Sequence, residues 1–202
     1  MVRRASDLGS SGEQDPAEVT LDTLAGQPLW VAWREEPREE GGKPTKIPYD
    51  PWGNKAAVDN PRSWETRRQA ELRAKMLRPK GYEGNGGIGV VLGVDIGCDQ
   101  YIVGIDLDTC VAADGRIETW AAEVIERFAS YAEISPSQTG AKVFGVMKGA
   151  DLTMVRAMLG GQAGRVWAWP GHKHPPGIAF YSGGRYFTTT GCQITDRPAD
   201  LR

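Results

Sequence analysis

The stretch VGIDLD, residues 103–108, limits the chain more than any other. Val103, Ile105 and Leu107 alternate with Gly104, Asp106 and Asp108, which is the period-two pattern of a strand. Alternate residues of a strand share a face, so both carboxylates project to the same side with Cα atoms about 6.5–7 Å apart. Carboxylates held that close repel each other unless a cation or a proton lies between them. Two readings follow from these residues alone. One is a strand with a solvated face. The other is a divalent-metal site, since hard oxygen ligands suit Mg²⁺ or Mn²⁺.

Composition narrows the classes. The chain has 202 residues, 40% hydrophobic and 25% charged, which fits one domain or a closely fused pair able to bury a core without staples. Cys98, Cys110 and Cys192 have no metal-like spacing and leave an odd thiol, so a reduced, cytoplasmic setting without a disulfide framework is expected. Arg3 and Arg4 are not followed by an apolar segment, and no run of 18 apolar residues occurs, so neither a membrane nor a secreted protein is expected. A net charge of −2 exerts no global pull on nucleic acid; any such binding must rest on local patches.

Strand-like and helix-like segments mix along the chain. Residues 1–18 are polar and aperiodic and read as a disordered tail. LWVAWREE reads as a first strand, and the Pro- and Gly-dense residues 37–56 as an extended loop or hairpin. Asn60 and Pro61 are placed as the cap and first residue of a helix reaching Met76. Its polar face carries Arg62, Arg67, Arg68, Arg73 and Lys75, continuing to Arg78 and Lys80. That face reads either as a solvated helix surface or as a nucleic-acid track. GGIGVVLG and YIVGIDLD suggest a hairpin. A helix over RIETWAAEVIERFASY puts Ile117, Trp120, Ala121, Val124 and Phe128 on one face. Two strand-like ends flank the turn in AEISPSQTGAKVFGVM, and DLTMVRAML is a short helix capped by Asp151. GIAFYSGGRYFTTTG reads as a hairpin turning at Gly183 and Gly184. Together these predict an α+β fold with a largely antiparallel sheet and flanking helices.

GIDLD, SYAEISPSQTGAKVF and GIAFYSGGRYFTTTG resemble, in order and spacing, the three motifs of the archaeo-eukaryotic primase superfamily. The likeness is closest to the primase–polymerase domains at the N-termini of phage and plasmid replication proteins. Upstream, LWVAWREE, GKPTKIPYDPWG, AAVDNPRSWETRRQA and GIGVVLG are similar to the opening subdomain of that group. The resemblance spans about residues 28–195, and its specificity lies in the ordered set rather than in any one motif. It implies a primase–polymerase-like domain over 19–202, with a small N-terminal α/β subdomain over about 19–85 and a catalytic core over about 86–195. It also implies DNA primase/DNA polymerase activity, nucleotidyl transfer on a single-stranded DNA template from nucleoside triphosphates. Asp106 and Asp108 match the carboxylates that hold Mg²⁺ or Mn²⁺. In such a mechanism two metal ions about 3.5–4 Å apart activate the attacking 3′-hydroxyl and stabilise the leaving pyrophosphate. Ser135, Ser137, Thr139, Gly140 and Lys142 fall in the segment that in such proteins meets the triphosphate, and Arg185 is a further candidate for phosphate contact, or else a surface arginine paired with a carboxylate. Arg67, Arg68 and Arg73, with Trp52 and Trp64 nearby, are the candidate template contacts.

Two positions depart from the pattern. Lys142 stands where the second motif commonly has a histidine; lysine binds phosphate as a charge but moves a proton less readily near neutral pH. Ala179 stands where the third motif normally presents an acid, and it cannot ligate a metal, which leaves Glu133 as the candidate substitute. His172 and His174 have no Cys or further His beside them for zinc. Two functions therefore stay open: a primase–polymerase, and a catalytically degenerate primase-like module that binds nucleotide or nucleic acid. A third, an unrelated metal-dependent nuclease or phosphatase, leaves SPSQTG and GGRYFTTTG unexplained. No helicase-type GxxxxGKS/T occurs in the chain; the resemblance implies a replicative helicase as a fused or separate partner.

Overall fold

The computed structural model describes residues 18–38, 42–170, 175–195 and 197–202. The tail expected over 1–18, apart from Glu18, and both histidines lie outside the described residues. In chain order the elements are β1 (Trp30–Glu36), β2 (Thr45–Tyr49), α1 (Arg67–Leu77), β3 (Gly86–Val91), β4 (Gln100–Asp108), α2 (Thr119–Phe128), β5 (Ala132–Ile134), β6 (Ala141–Lys148), α3 (Gly149–Met158), β7 (Gly164–Ala168), β8 (Gly177–Tyr181) and β9 (Tyr186–Thr189). They form two antiparallel sheets, a first ordered β2-β1-β3-β9 and a second ordered β5-β6-β4-β8-β7. The protein is mixed α+β.

The alternation in VGIDLD places β4 at the centre of the second sheet. Ile105 and Leu107 join Ala121 and Ile125 of α2 in one core cluster. The opposite face, with Ile102 and Gly104, turns toward the first sheet and Phe187 of β9. Gly104 is required there, because a Cβ would clash with the Phe187 ring. Phe187 meets Phe144 and Tyr181 edge to face, with centroids 5.6 and 6.0 Å away. Each such pair adds about 0.5–1.5 kcal/mol beyond the area it buries. The first sheet is covered by Ala70, Ala74 and Leu77 of α1.

Several expectations are corrected. Asn60 does cap, accepting from the Arg62 N–H at 3.2 Å, but only a 3-10 turn over Pro61–Ser63. Trp30 and Glu65 then exchange backbone hydrogen bonds of 2.9 and 2.8 Å, which hold the chain extended. The helix restarts behind Thr66, whose N–H donates to Gln69 Oε1 at 3.0 Å. GGIGVVLG and YIVGIDLD pair only near their junction, where the Gly93 N–H donates to the Ile102 carbonyl at 2.7 Å and Asp95 bridges to Tyr101, and their strands enter different sheets. The segment around Gly183 is likewise no hairpin: it carries the chain from β8 in the second sheet to β9 in the first. Arg156 of α3 clamps that crossing, donating to Ser182 Oγ at 3.1 Å and to the Ser182 carbonyl. Asp151 lies in the first turn of α3 rather than capping it, the cap being Lys148. Phe128 is half-exposed, and β7 is a strand that no sequence pattern announced. No helix among the described residues is long and apolar enough to cross a membrane. All three cysteines are unpaired.

Candidate functional site

One row of side chains crosses the second sheet. Asp106 is in register with Lys142 on one side and Ala179 on the other, with Glu133 beyond Lys142 and Val166 beyond Ala179. Cross-strand partners share a face, so the row looks toward the first sheet. Lys142 Nζ donates to Asp106 Oδ1 at 2.6 Å and lies 4.3 Å from the Phe187 ring centroid. A cation over an aromatic face gains about 0.5–2 kcal/mol as it is desolvated. Lys142 is only 8% exposed, so its tip is held. Asp108 ends the strand opposite Gly177 and reaches solvent. Its protein surroundings nevertheless raise its carboxyl above the ordinary range, and the Asp106 charge adds to this, while Lys142, Lys43 and Lys46 oppose it.

Residues 135–140 connect β5 to β6 beside the end of β4. The Thr139 carbonyl accepts from the Cys110 and Val111 N–H groups at 2.9 and 3.1 Å, and the Ser135 N–H donates to the Gly140 carbonyl at 2.9 Å. Gly140 is needed for this close approach: a Cβ would stand 2.6 Å from the Leu107 carbonyl oxygen. The hydroxyls of Ser135, Ser137 and Thr139 bond in series, each link 3.0 Å. Hydroxyls both donate and accept, so such a series can turn its protons toward an anion.

Arg185 is exposed on the clamped turn and lies over the Tyr181 ring, 4.6 Å from its centroid. Burial raises the Tyr181 phenol, Arg185 opposes this, and the charges of Asp106 and Asp108 reach it as well. The first sheet contributes Lys46 of β2, 5.3 Å over the Trp33 ring. Burial pushes its ammonium below the ordinary lysine range, and the Lys142 charge pushes the same way. Lys43 and Lys46 escaped the sequence reading, which saw only a loop or hairpin there. The usable signal was Lys46 between Thr45 and Ile47, which in a strand must face the opposite way from Ile47.

Most of the other candidates are engaged elsewhere. Glu133 does not complete the acid set: strand β6 separates it from Asp106. Fully buried, it accepts from the Tyr131 hydroxyl at 3.0 Å and the Thr190 and Gly191 N–H groups at 2.8 and 3.1 Å. Arg67 pairs with Asp22 and Glu71 and lies over the Trp30 ring. Arg73 donates to the Pro51 carbonyl, whereas Arg68 is exposed. Trp52 is exposed, and Trp64 Nε1 donates to the Ala57 carbonyl at 2.8 Å. A cavity of about 710 Å³ beside α1, lined by Trp30, Arg67, Lys75, Tyr131 and Glu133 among others, contains neither aspartate. Among the described residues, no three His, Cys, Asp or Glu side chains gather as a metal cage. Asp108 and the Asp106 Oδ2 atom are the oxygens that could hold one hard cation, its other ligands coming from water or phosphate.

No protein-family model matches the chain. Over 184 residues it is 30% identical to the DNA primase-polymerase of Nitratiruptor phage NrS-1, an alignment covering 90% of this chain and 21% of that protein. The similarity is therefore not confined to the neighbourhood of Asp106 but takes in nearly every element described above. The chain spans about a fifth of the length of the curated relative it matches and is related, across almost all of its own length, to that part of a phage DNA primase-polymerase.

Proposed function

We propose that this chain carries out primase–polymerase-type nucleotidyl transfer on single-stranded DNA from nucleoside triphosphates. One observation carries the reading: Asp106, Lys142 and Ala179, distant in sequence, stand in one row across the second sheet, with residues 135–140 connecting beside the end of β4 and Arg185 lying over Tyr181. Carboxylates thereby stand beside phosphate-binding chemistry. In the reaction a 3′-hydroxyl oxygen attacks the α-phosphorus, the new ester bond forms, the α–β bridging P–O bond breaks, and pyrophosphate leaves. Mg²⁺ or Mn²⁺ held by Asp106 and Asp108 would supply charge stabilisation to the attacking and leaving oxygens. The hydroxyls of Ser135, Ser137 and Thr139, the Lys142 ammonium and the Arg185 guanidinium bind and orient the triphosphate. Stacking on Tyr181 pre-organises Arg185, so less rotamer freedom is lost on binding. Arg68 takes a template phosphate and Trp52 a base. A replicative helicase, fused or separate, would supply the single strand.

The test is primer extension and de novo synthesis on single-stranded DNA with Mn²⁺ and with Mg²⁺. Extended product is the expected result. A second reading, a module that binds nucleotide or template without catalysis, is favoured by Ala179, which puts a methyl group beside Asp106 where a third carboxylate would stand. Binding of nucleotide without any product would select it.

A further inference from the structure

We infer that the Lys142 ammonium occupies the place of one catalytic cation, so that the nucleotide-loaded site holds a single divalent ion rather than a pair. The inference rests on the nucleotidyl-transfer reading and specifies its metal content. A second divalent ion beside Asp106 needs further oxygen ligands from the protein, and the positions flanking Asp106 in the row offer none. Asp106 Oδ1 is taken by Lys142 Nζ at 2.6 Å. Position 179, on the other side of Asp106, offers a methyl group that is 2% exposed. Glu133, the next acid in the row, stands behind Lys142 and already accepts from Tyr131, Thr190 and Gly191.

Lys142 has no easy way out. Its ammonium sits over the Phe187 ring, and that ring is fixed between Gly104, Phe144 and Tyr181. A second dication entering beside it would meet the ammonium charge at close range, with the Lys46 ammonium adding to the repulsion from the facing sheet. Asp106 Oδ2 and Asp108 remain for one ion. Lys142 thus performs, as a covalently attached monocation, the charge neutralisation at Asp106 that a second metal would otherwise supply.

The count of bound metal tests this. The full chain is titrated with Mn²⁺ in the presence of a non-hydrolysable nucleoside triphosphate analogue and followed by electron paramagnetic resonance. The expected result is one Mn²⁺ per chain with an uncoupled six-line spectrum. The double substitution Lys142→Met with Ala179→Glu removes the ammonium and adds a carboxylate. It should bind two ions whose spectrum shows the exchange coupling of metals about 3.5–4 Å apart. A coupled pair in the parent overturns the inference, as does a folded double variant that still holds one ion. If the double variant does not fold, the parent count decides alone. A coupled pair together with primer extension sinks only this inference, whereas a parent that binds neither Mn²⁺ nor nucleotide sinks the proposed function too.

Discussion

On α1 and in the row at Asp106, basic side chains meet their partners under opposite conditions. Arg67 reaches Asp22 and Glu71 across the surface, where an ion pair contributes about 0–1 kcal/mol. Arg73 is held by a backbone carbonyl. These guanidinium groups fasten the helix to the loops at Asp22 and Pro51. Lys142 and Asp106 instead meet largely under protein, their side chains 10% and 26% exposed. Their pairing leaves Asp108 and the second oxygen of Asp106 without a direct ion-pair partner. A dense basic run on a helix can therefore mark nothing more than the helix's own attachment. A single lysine on the strand beside two aspartates of β4 instead leaves one acid in excess, which suits the site to a cation.

The contrast breaks most severely at Asp106. Asp106→Asn keeps the shape but removes the charge that holds Lys142 and that the proposed reaction needs for its metal, so primer extension should fall about 100-fold or more, near 2.7 kcal/mol of transition-state stabilisation. Extension at the parent rate would refute the row as an active centre. Glu133, two strands away in the same row, should behave oppositely. Glu133→Ala leaves two backbone N–H groups and a phenol unpaired and should cost about 2–4 kcal/mol of stability by urea denaturation, with Mn²⁺ binding unchanged. Lost Mn²⁺ binding at parental stability would move Glu133 into the site.

The α1 side carries its own acid test. Glu65 is buried with Oε1 unpartnered, as is the Nε of nearby Arg73. Burial pushes the Glu65 carboxyl up to about 7, against the pull of Arg73. The native state then keeps a proton that the unfolded chain releases. The stabilisation is full below about pH 4.5 and is lost as pH rises through 7. Between pH 5 and 8 the parent should lose on the order of 2 kcal/mol relative to Glu65→Gln; parallel urea midpoints for the two proteins would show the assignment to be wrong. The smallest effect is expected on template binding. Arg68→Ala should reduce the salt slope of single-strand affinity by about 1, while Arg67→Ala should shift stability by less than about 1 kcal/mol. Equal losses of DNA affinity from both would erase the distinction between free and engaged arginines.

What was legible in the sequence was local. Alternation exposed β4 and its aspartates, and turn chemistry exposed residues 135–140 and the bend at Gly183. The assignment of strands to sheets was not legible, because β3 and β4 are parted by the distant pairing of β9 with β3. The start of α1 was hidden by the backbone exchange between Trp30 and Glu65, a contact no capping pattern encodes. β7 was missed because Arg165, Val166 and Trp167 lie exposed at a sheet edge, where no alternation of burial is imposed. Lys46 reads as an ordinary solvated lysine until strand register sets it over Trp33.

The crossing from β8 to β9 also fixes the order in which the protein can be finished on the ribosome. β9 closes the first sheet and brings Phe187 over Gly104, yet every strand of the second sheet is made before it. At ordinary translation speeds, the edge of β3 waits roughly 5–20 s for its partner. Throughout that interval one edge of β3, rich in glycine and β-branched residues, stands unpaired and open to pairing with other chains. A chain cut short before Tyr186 would leave that edge of β3 without its partner and would lack the Phe187 ring packed over Gly104 and Lys142.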